Sequence, residues 1–234
     1  MARKYDLISE LYARTCKTVV MYPQNWEAFL RSACRNYKLR FDEQLLVYAQ
    51  RPDAPAVLEI ERWNEKFGRW VNRGAHGIAV FEDAEQSHQR LIHYFDISDT
   101  HESRYSRPVP IWQMKPEYTE DIIDTLESTF GELSDKDSLE AAILSAAKNA
   151  VEDNIPDYLS DLLYSVENSL FDGVSEEEIS VIYRDTVQNS VAYMLMFRLG
   201  LDTEGFFEPD DFRGAVNFTT PETLNALGFA TSDI

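Results

Sequence analysis

Seven basic residues in the first half of the chain have the types and spacing of a phosphate-binding surface. Four of them recur at positions i, i+4, i+7 and i+11 of a predicted helix, and three precede that helix. They are Arg62, Lys66, Arg69 and Arg73, with Arg31, Arg35 and Arg40. Cationic side chains contact nucleic-acid phosphates, and exposed aromatic rings stack on unpaired bases. The sequence therefore allows binding of single-stranded DNA. The alternative is that Glu59, Glu61 and Glu65 form ion pairs with the basic residues of the same helix.

The second half of the chain is strongly acidic. Residues 1–116 contain 17 Lys and Arg and 15 Asp and Glu, whereas residues 117–234 contain 5 and 26, so the second half has a charge of −21 and the whole chain −19. A surface of this sign repels nucleic acid and attracts the basic grooves of proteins that bind nucleic acid. The candidate contact residues are Glu176, Glu177, Glu178, Asp210, Asp211, Asp157 and Asp161. The alternative is an ordinary solvated acidic surface, since acids at helix starts also complement the helix dipole.

The residues of common hydrolytic sites are not arranged for catalysis. The histidines at positions 76, 88, 93 and 101 form no His-Glu-x-x-His pair, and all of them lie in the first half. The chain has no Gly-x-Ser-x-Gly segment, and residues 74–77 lack the lysine of a phosphate-binding loop. Cys16 and Cys34 fit reduced thiols in helices better than a disulfide framework. We predict a non-enzymatic protein without a metal or a cofactor.

Hydrophobic periodicity predicts the elements that carry the basic residues. Apolar spacing indicates helices over residues 3–18, after an N-cap at Asn25, and over residues 41–50. Residues 57–70 are predicted to form one helix with Trp63, Phe67 and Trp70 on its buried face. Residues 72–77 then form a turn whose two glycines take positive φ, and residues 78–81 and 90–95 form a β-hairpin.

The second half is predicted to be a helical bundle after a polar linker that contains prolines. Helical spacing recurs over residues 117–133, 137–152, 156–171 and 175–199. Ser175 begins a capping-box pattern, and Thr220 is a predicted N-cap followed by proline. The predicted fold class is α+β and mostly helical, with N-terminal helices and a small β-hairpin or sheet followed by an acidic helical bundle. The predicted domains are residues 1–105 and 117–234, joined by a linker at residues 106–116.

Two segments resemble a known module. Residues 71–80, Val-Asn-Arg-Gly-Ala-His-Gly-Ile-Ala-Val, and residues 94–100, Tyr-Phe-Asp-Ile-Ser-Asp-Thr, resemble motifs of the N-terminal module of ArdC-type antirestriction proteins. The same module begins large helicase and methylase proteins of conjugative elements. The resemblance covers roughly residues 20–105 and implies a module that binds single-stranded DNA.

A segment of the second half also resembles the ArdC-type proteins. Residues 189–202, followed by Phe206, Phe207 and Phe212, resemble the helix that follows the zinc site in their metallopeptidase region. A plain apolar core helix is the alternative interpretation. The zinc motif itself is missing from this sequence, so the resemblance implies a peptidase-like scaffold without peptidase chemistry.

Three functional hypotheses follow. The favoured one is a non-enzymatic anti-defence binding protein of a mobile genetic element, of the antirestriction or anti-CRISPR type. Its acidic surface would mimic DNA and block the nucleic-acid-binding groove of a host nuclease or another nucleic-acid-processing protein. The second is a single-stranded-DNA-binding accessory module of a conjugative-element helicase or methylase protein, and the third is a peptidase-like scaffold for protein contacts. Because the sequence has no long apolar run and no signal peptide, we expect a cytoplasmic protein without a membrane partner.

Overall fold

Helices and a few short strands alternate in the first half, and helices alone follow in the second. The computed structural model describes residues 2–82, 90–111 and 113–234, without the side chains of residues 2 and 3. The helices are α1 Ala2–Val19, α2 Pro23–Ala33, α3 Phe41–Gln50, α4 Ile60–Phe67, α5 Thr119–Phe130, α6 Leu139–Tyr164, α7 Glu176–Leu199 and α8 Pro221–Asp233. The strands are β1 Val57–Glu59, β2 Arg69–Val71, β3 Ile78–Phe81, β4 Leu91–Asp96 and β5 Thr100–Glu102. This architecture confirms the predicted fold class, α+β and mostly helical.

The first three helices lie where the apolar spacing predicted them, with one correction at the start of α2. Pro23 occupies the first turn of α2, and Tyr22 precedes it with extended backbone. Asn25 is therefore inside the helix and is not its N-cap. The Asn25 side-chain amide instead donates a hydrogen bond to the Thr18 carbonyl at 2.7 Å, which fixes the turn between α1 and α2.

The prediction of a single helix over residues 57–70 is wrong. Its first residues form β1, which pairs with β4, and its last residues form β2, so that only α4 between them is helical. Gly68 ends α4 because it adopts a left-handed conformation with φ of 61°, and its N–H donates to the Asn64 carbonyl at 3.0 Å. Trp63 is fully buried, as predicted, and its indole N–H donates to the Phe95 carbonyl at 2.8 Å.

The strands form two small antiparallel units. One is a three-stranded sheet in the order β1-β4-β3, and the other is a ribbon of β2 and β5. Pairing of β3 with β4, from Ile78 opposite Tyr94 to Phe81 opposite Leu91, confirms the predicted hairpin. In the turn before β3, Gly74 has φ of 86°, whereas Gly77 is not among the positive-φ residues. A Cβ atom at Gly77 would lie 3.0 Å from side-chain atoms of His93 and Phe95, so a larger residue there would press on these two side chains.

Two of the helices predicted in the second half are one continuous helix. Residues 137–152 and 156–171 were predicted as separate helices, but α6 runs through Pro156. Ile155 and Leu162 are both buried in the main core, and this burial offsets the backbone hydrogen bond that proline removes. At the other helix starts, Ser175 accepts from the Glu178 N–H and Thr220 from the Thr223 N–H, as predicted.

The largest hydrophobic cluster contains side chains from both halves of the chain. Trp26 and Phe29 of α2 belong to the same cluster as Val187 and Tyr193 of α7. The Trp26 indole N–H also donates to the Ser190 hydroxyl at 2.9 Å, and both residues are fully buried. A smaller cluster lies between α1, α3 and the three-stranded sheet. The predicted domain boundary at residues 106–116 stays a prediction. A test of it must ask whether the two halves, which share this core, unfold together or separately.

Candidate nucleic-acid interface

The β2–β5 ribbon presents an aromatic side chain to solvent. Trp70 pairs directly with His101, and because opposite residues of an antiparallel pair share a face, both side chains lie on one face of the ribbon. Trp70 is 53% exposed and His101 is also exposed. A ring nitrogen of His101 lies 2.8 Å from the Asn72 amide oxygen and fixes the imidazole beside the indole. The prediction that Trp70 is a core residue is therefore wrong, since it assumed helical rather than strand periodicity.

The segment 103–107 is held against the end of α4 by hydrogen bonds to the carbonyl groups of Phe67 and Gly68. The Ser103 and Ser106 hydroxyls donate to the Gly68 carbonyl at 2.7 and 2.8 Å, and the Arg107 N–H donates to the Phe67 carbonyl at 2.8 Å. A Cβ atom at Gly68 would lie 2.9 Å from the Tyr105 carbonyl oxygen, so only glycine allows this approach. The Tyr105 side chain itself is 80% exposed. A second aromatic ring is thereby placed near the ribbon.

Four cationic residues lie within four positions of these two rings in the sequence. Lys66, Arg73, Arg104 and Arg107 are exposed, and among the described residues none of the four has a carboxylate within 4.0 Å. Lys66 and Arg73 are each within four residues of Trp70, which limits their Cα atoms to about 14 Å from it. The Arg104 guanidinium lies 6.0 Å from the centroid of the Tyr105 ring. We call these six residues the aromatic–basic patch: Lys66, Trp70, Arg73, Arg104, Tyr105 and Arg107.

The predicted four-residue cationic stripe does not exist on one helix, because α4 ends at Phe67. Arg69 instead lies on the inner face of the ribbon, where it donates to the Thr100 hydroxyl at 2.7 Å and to Glu102 at 2.9 Å. Its side chain is only 12% exposed. Arg62 remains exposed on α4, with its Nε 3.7 Å from Glu59. Of the stripe, Lys66 and Arg73 are therefore the residues that face solvent without an acid within 4.0 Å in the part of the chain that the structure describes.

Two of the three upstream arginines hold the fold together. Arg31 donates to the Tyr193 hydroxyl at 2.6 Å and also contacts Glu27; the bond to Tyr193 is the main cause that raises the pKa of Arg31. Arg40 donates to both oxygens of Asp42 at 3.1 Å and to the carbonyl of Phe81. The third, Arg35, lines a cavity together with Arg198 of α7.

The seven candidate acidic residues are all exposed but do not form one site. Glu176, Glu177 and Glu178 occupy the first turn of α7. Asp211 lies beside Asn189, whose amide donates to its carbonyl at 2.9 Å, and Asn189 is about 20 Å further along α7 at 1.5 Å per residue. Asp210 is next to Asp211, and Asp157 and Asp161 are on consecutive turns of α6. The acids therefore fall into three groups: the start of α7, the segment 210–211, and α6.

The α6 group borders a groove with other acids. Asp161 of α6 lines a cavity of about 340 Å³ together with Glu222 and Asp233 of α8. Phe229, 44% exposed, contributes an apolar wall. The Tyr158 hydroxyl lies 3.4 Å from Asp233, and burial raises its pKa with a further contribution from that carboxylate. Glu222 and Asp233 had not been identified as candidates, because the sequence does not show that α8 packs beside α6.

The described residues contain no group of three or more His, Cys, Asp or Glu side chains placed to hold a metal ion. Both cysteines are buried free thiols. Burial raises the pKa of Cys16, and it raises the pKa of Cys34 to about 11. Neither thiol therefore has the lowered pKa that nucleophilic catalysis requires.

The two segments that resemble the ArdC-type module are joined by hydrogen bonds. The Asn72 N–H donates to the Asp99 carbonyl at 2.8 Å, and Val71 pairs with Thr100. Asp96 accepts the Ser98 N–H at 2.8 Å in the turn that leads from β4 into β5. No family model, curated protein or solved structure matches this chain. The resemblance therefore stays a prediction, and the functional argument depends on the geometry.

Within residues 2–82, 90–111 and 113–234, no helix is long and apolar enough to span a membrane.

The aromatic–basic patch was only partly predictable. Lys66 and Arg73 were identified as candidates, whereas Arg104, Tyr105 and Arg107 were not, and Arg107 was assigned to the linker at residues 106–116. The alternation of Arg104, Tyr105 and Arg107 within four residues was the available signal for these three. The signal for Trp70 was Gly68, a common helix terminator two residues before it.

Proposed function

We propose that this chain is a single-stranded-DNA-binding module that serves a helicase or methylase protein of a mobile element. The observation that carries the proposal is the exposure of Trp70 and Tyr105, each within four residues of two exposed cations that have no carboxylate within 4.0 Å among the described residues. Exposed rings provide stacking platforms for bases, and cations contact the phosphates between those bases. The resemblance to the ArdC-type N-terminal module points to the same ligand.

The aromatic rings favour single strands over duplex DNA as the ligand. In a duplex the base faces are already stacked on each other, so Trp70 and Tyr105 would add nothing to phosphate contacts. In a single strand each base has a free face, and stacking on an aromatic side chain contributes about 1–3 kcal/mol per base. This mode of binding needs no base-specific hydrogen bonds, and we therefore expect little sequence preference.

The acidic second half has a different role in this proposal. Its charge of −21 repels phosphates, so a bound strand is directed away from the acidic surfaces of α6, α7 and α8 and toward the first half of the chain. The exposed acids of α6, α7 and α8 remain available to a basic surface of the protein that the module serves. The two halves would then bind ligands of opposite charge.

Fluorescence anisotropy with a labelled oligothymidylate tests the proposal. Charge reversal of Lys66 and Arg73 to Glu should weaken binding and reduce its salt dependence by about 0.7 in logarithmic slope for each lost phosphate contact. The matched control is Arg213→Glu, which reverses an exposed cation in the acidic half. Equal affinities for the wild type and the patch variant would contradict the proposal.

The acidic groove between α6 and α8 supports a second candidate function, an anti-defence protein that blocks a nuclease. Glu222 and Asp233 lie at opposite ends of α8, about 16 Å apart along the helix axis, and Asp161 and Phe229 line the groove with them. Carboxylates around an exposed aromatic side chain complement a basic, partly apolar surface, which is the character of a DNA-binding groove.

A competition assay tests this second candidate. The protein should displace DNA from a susceptible restriction or CRISPR nuclease, and Asp161→Lys with Glu222→Lys should abolish the displacement. Glu204→Lys, an exposed acid outside the groove, is the control. Displacement that survives the groove variant would assign inhibition to another surface.

A further inference from the structure

A cavity of about 330 Å³ lies between the two halves of the chain, and two arginines face it. Its apolar walls are Pro55, Val109, Ile111 and Phe197, and the guanidinium groups belong to Arg35 and Arg198. Arg35 follows α2, Pro55 precedes β1, and Arg198 is near the end of α7. The sequence could not predict this cavity, because four segments that are distant in sequence form it.

The fold fixes the position of both guanidinium groups but leaves most of their N–H donors available. Arg198 donates to the Cys34 carbonyl at 2.9 Å and lies 4.1 Å from the centroid of the Tyr37 ring. Arg35 lies 5.5 Å from the centroid of the Phe197 ring and donates to a backbone carbonyl at 3.3 Å. Stacked arginines lose little freedom when they bind a ligand, because their planar groups are already oriented.

The positive charge of the cavity is poorly compensated. Arg198 has no carboxylate within 4.0 Å in the part of the chain that the structure describes. The acid beside Arg35 is Asp53, at 3.8 Å, and its side chain is 96% exposed. Burial raises the pKa of Cys34 to about 11, and both Arg35 and Arg198 oppose that rise. Both cations therefore act on the thiol of Cys34, a residue of the cavity wall.

Residues 109–111, which form one wall of the cavity, follow shortly after Tyr105 and Arg107 of the aromatic–basic patch in the sequence. Tyr105 and Val109 are four residues apart, so their Cα atoms are separated by at most about 14 Å. The start of this segment is fixed to the end of α4 by the hydrogen bond from Arg107 to Phe67. A ligand that stacks on Tyr105 is thus within a few nucleotides of Arg35 and Arg198.

We propose that this cavity binds one nucleotide of the single strand that occupies the aromatic–basic patch. Arg35 and Arg198 hold its phosphate by charge-assisted hydrogen bonds, and Pro55, Val109 and Ile111 contact its base. The inference rests on the proposed function, since the patch supplies the rest of the strand. It adds a second contact point, so affinity should increase once a strand is long enough to reach both.

Titrations with oligothymidylates of about 4 and about 12 nucleotides test this inference. We expect the wild type to bind the longer strand more tightly. Arg198→Gln should weaken binding of the longer strand about tenfold and lower its salt slope by about 0.7, while binding of the shorter strand stays unchanged. Arg213→Gln, an exposed arginine outside the cavity, is the matched control.

The outcomes separate the two proposals. If the wild type binds neither strand, the proposed function and this inference both fail. If it binds both strands and Arg198→Gln changes neither the affinity nor the salt slope of the longer one, the cavity assignment fails and the patch remains. If free thymidine monophosphate competes at the cavity as strongly as the longer strand, the ligand is a free nucleotide and the strand assignment fails.

Crosslinking of the wild type provides a test that does not depend on the folding of a variant. A strand substituted with bromodeoxyuridine is irradiated, and the modified residues are identified by mass spectrometry. We expect adducts on residues 109–111 or Phe197 in addition to the patch. Adducts confined to Trp70 and Tyr105 would overturn the cavity assignment.

Discussion

Trp70 lies directly opposite His101 in the β2–β5 ribbon, and both side chains are exposed on the same face. Arg69, the residue before Trp70, points to the other face and is held by Thr100 and Glu102. One strand thus presents the Trp70 ring to solvent on one face and holds the Arg69 side chain, 12% exposed, on the other. This alternation makes Trp70 available to a ligand without a cost to the core.

Trp70→Ala should weaken binding of single-stranded DNA by about 1–3 kcal/mol, because one stacked base loses its aromatic partner. The free energy of unfolding should change by no more than about 0.5 kcal/mol, since the side chain is largely exposed. Anisotropy titration and urea unfolding measure the two quantities. Tyr164→Ala removes another exposed aromatic, 88% accessible and in the acidic half, and should leave DNA binding unchanged.

Gly68→Ala should destabilise the fold more than the same change at Gly200. Both glycines end helices in the left-handed conformation, with φ of 61° and 72°. Alanine in this conformation costs about 1–2 kcal/mol at either position. A Cβ atom at Gly68 would also lie 2.9 Å from the Tyr105 carbonyl oxygen, whereas at Gly200 it would meet nothing within 4 Å. Thermal unfolding measures the difference. Equal destabilisation would mean that the Tyr105 segment is not held against α4.

The fold class and most helices followed from periodicity, whereas the patch did not. In residues 57–70 the spacing of Trp63 and Phe67 was helical, and Trp70 continued it by coincidence beyond Gly68. Pairing of β1 and β2 with distant strands overrode the local helical pattern. In α6 a break at Pro156 was predicted, but tertiary burial kept the helix continuous through this residue. The sites depend on contacts distant in sequence, which periodicity alone cannot predict.

Stability should decrease as the pH falls through the range in which His93 titrates. Burial, with a further contribution from Lys4, lowers the pKa of His93 below its usual value, and a ring nitrogen lies 2.8 Å from the Lys4 ammonium. His93 therefore binds a proton more readily in the unfolded chain than in the folded one. The stability that the neutral imidazole contributes is present above the unfolded pKa of His93 and is lost as the pH falls through its folded pKa.

The contribution of His93 is isolated by urea unfolding of the wild type and His93→Gln between about pH 7.5 and 5. Carboxylates titrate in both proteins, so their contribution cancels in the comparison. The wild type should therefore lose more stability than the variant over this range, because only the wild type contains His93. Parallel pH profiles for the two proteins would contradict a lowered pKa.

Trp26→Phe should lower the free energy of unfolding by about 2–3 kcal/mol, because it leaves a cavity and removes the bond to Ser190. Because the core is shared by both halves, we expect one cooperative transition in the wild type and in the variant. Tryptophan fluorescence and far-ultraviolet circular dichroism should give coincident urea curves. Two separated transitions would instead support the predicted domain boundary at residues 106–116.

The most direct test of the central claim is an equilibrium titration of the wild type with one sequence as a single strand and as a duplex. At low salt we predict that the single strand binds more tightly than the duplex, and that affinity falls steeply as salt increases. Binding of neither form, or equal binding of both, would contradict the account in which Trp70 and Tyr105 stack on unpaired bases.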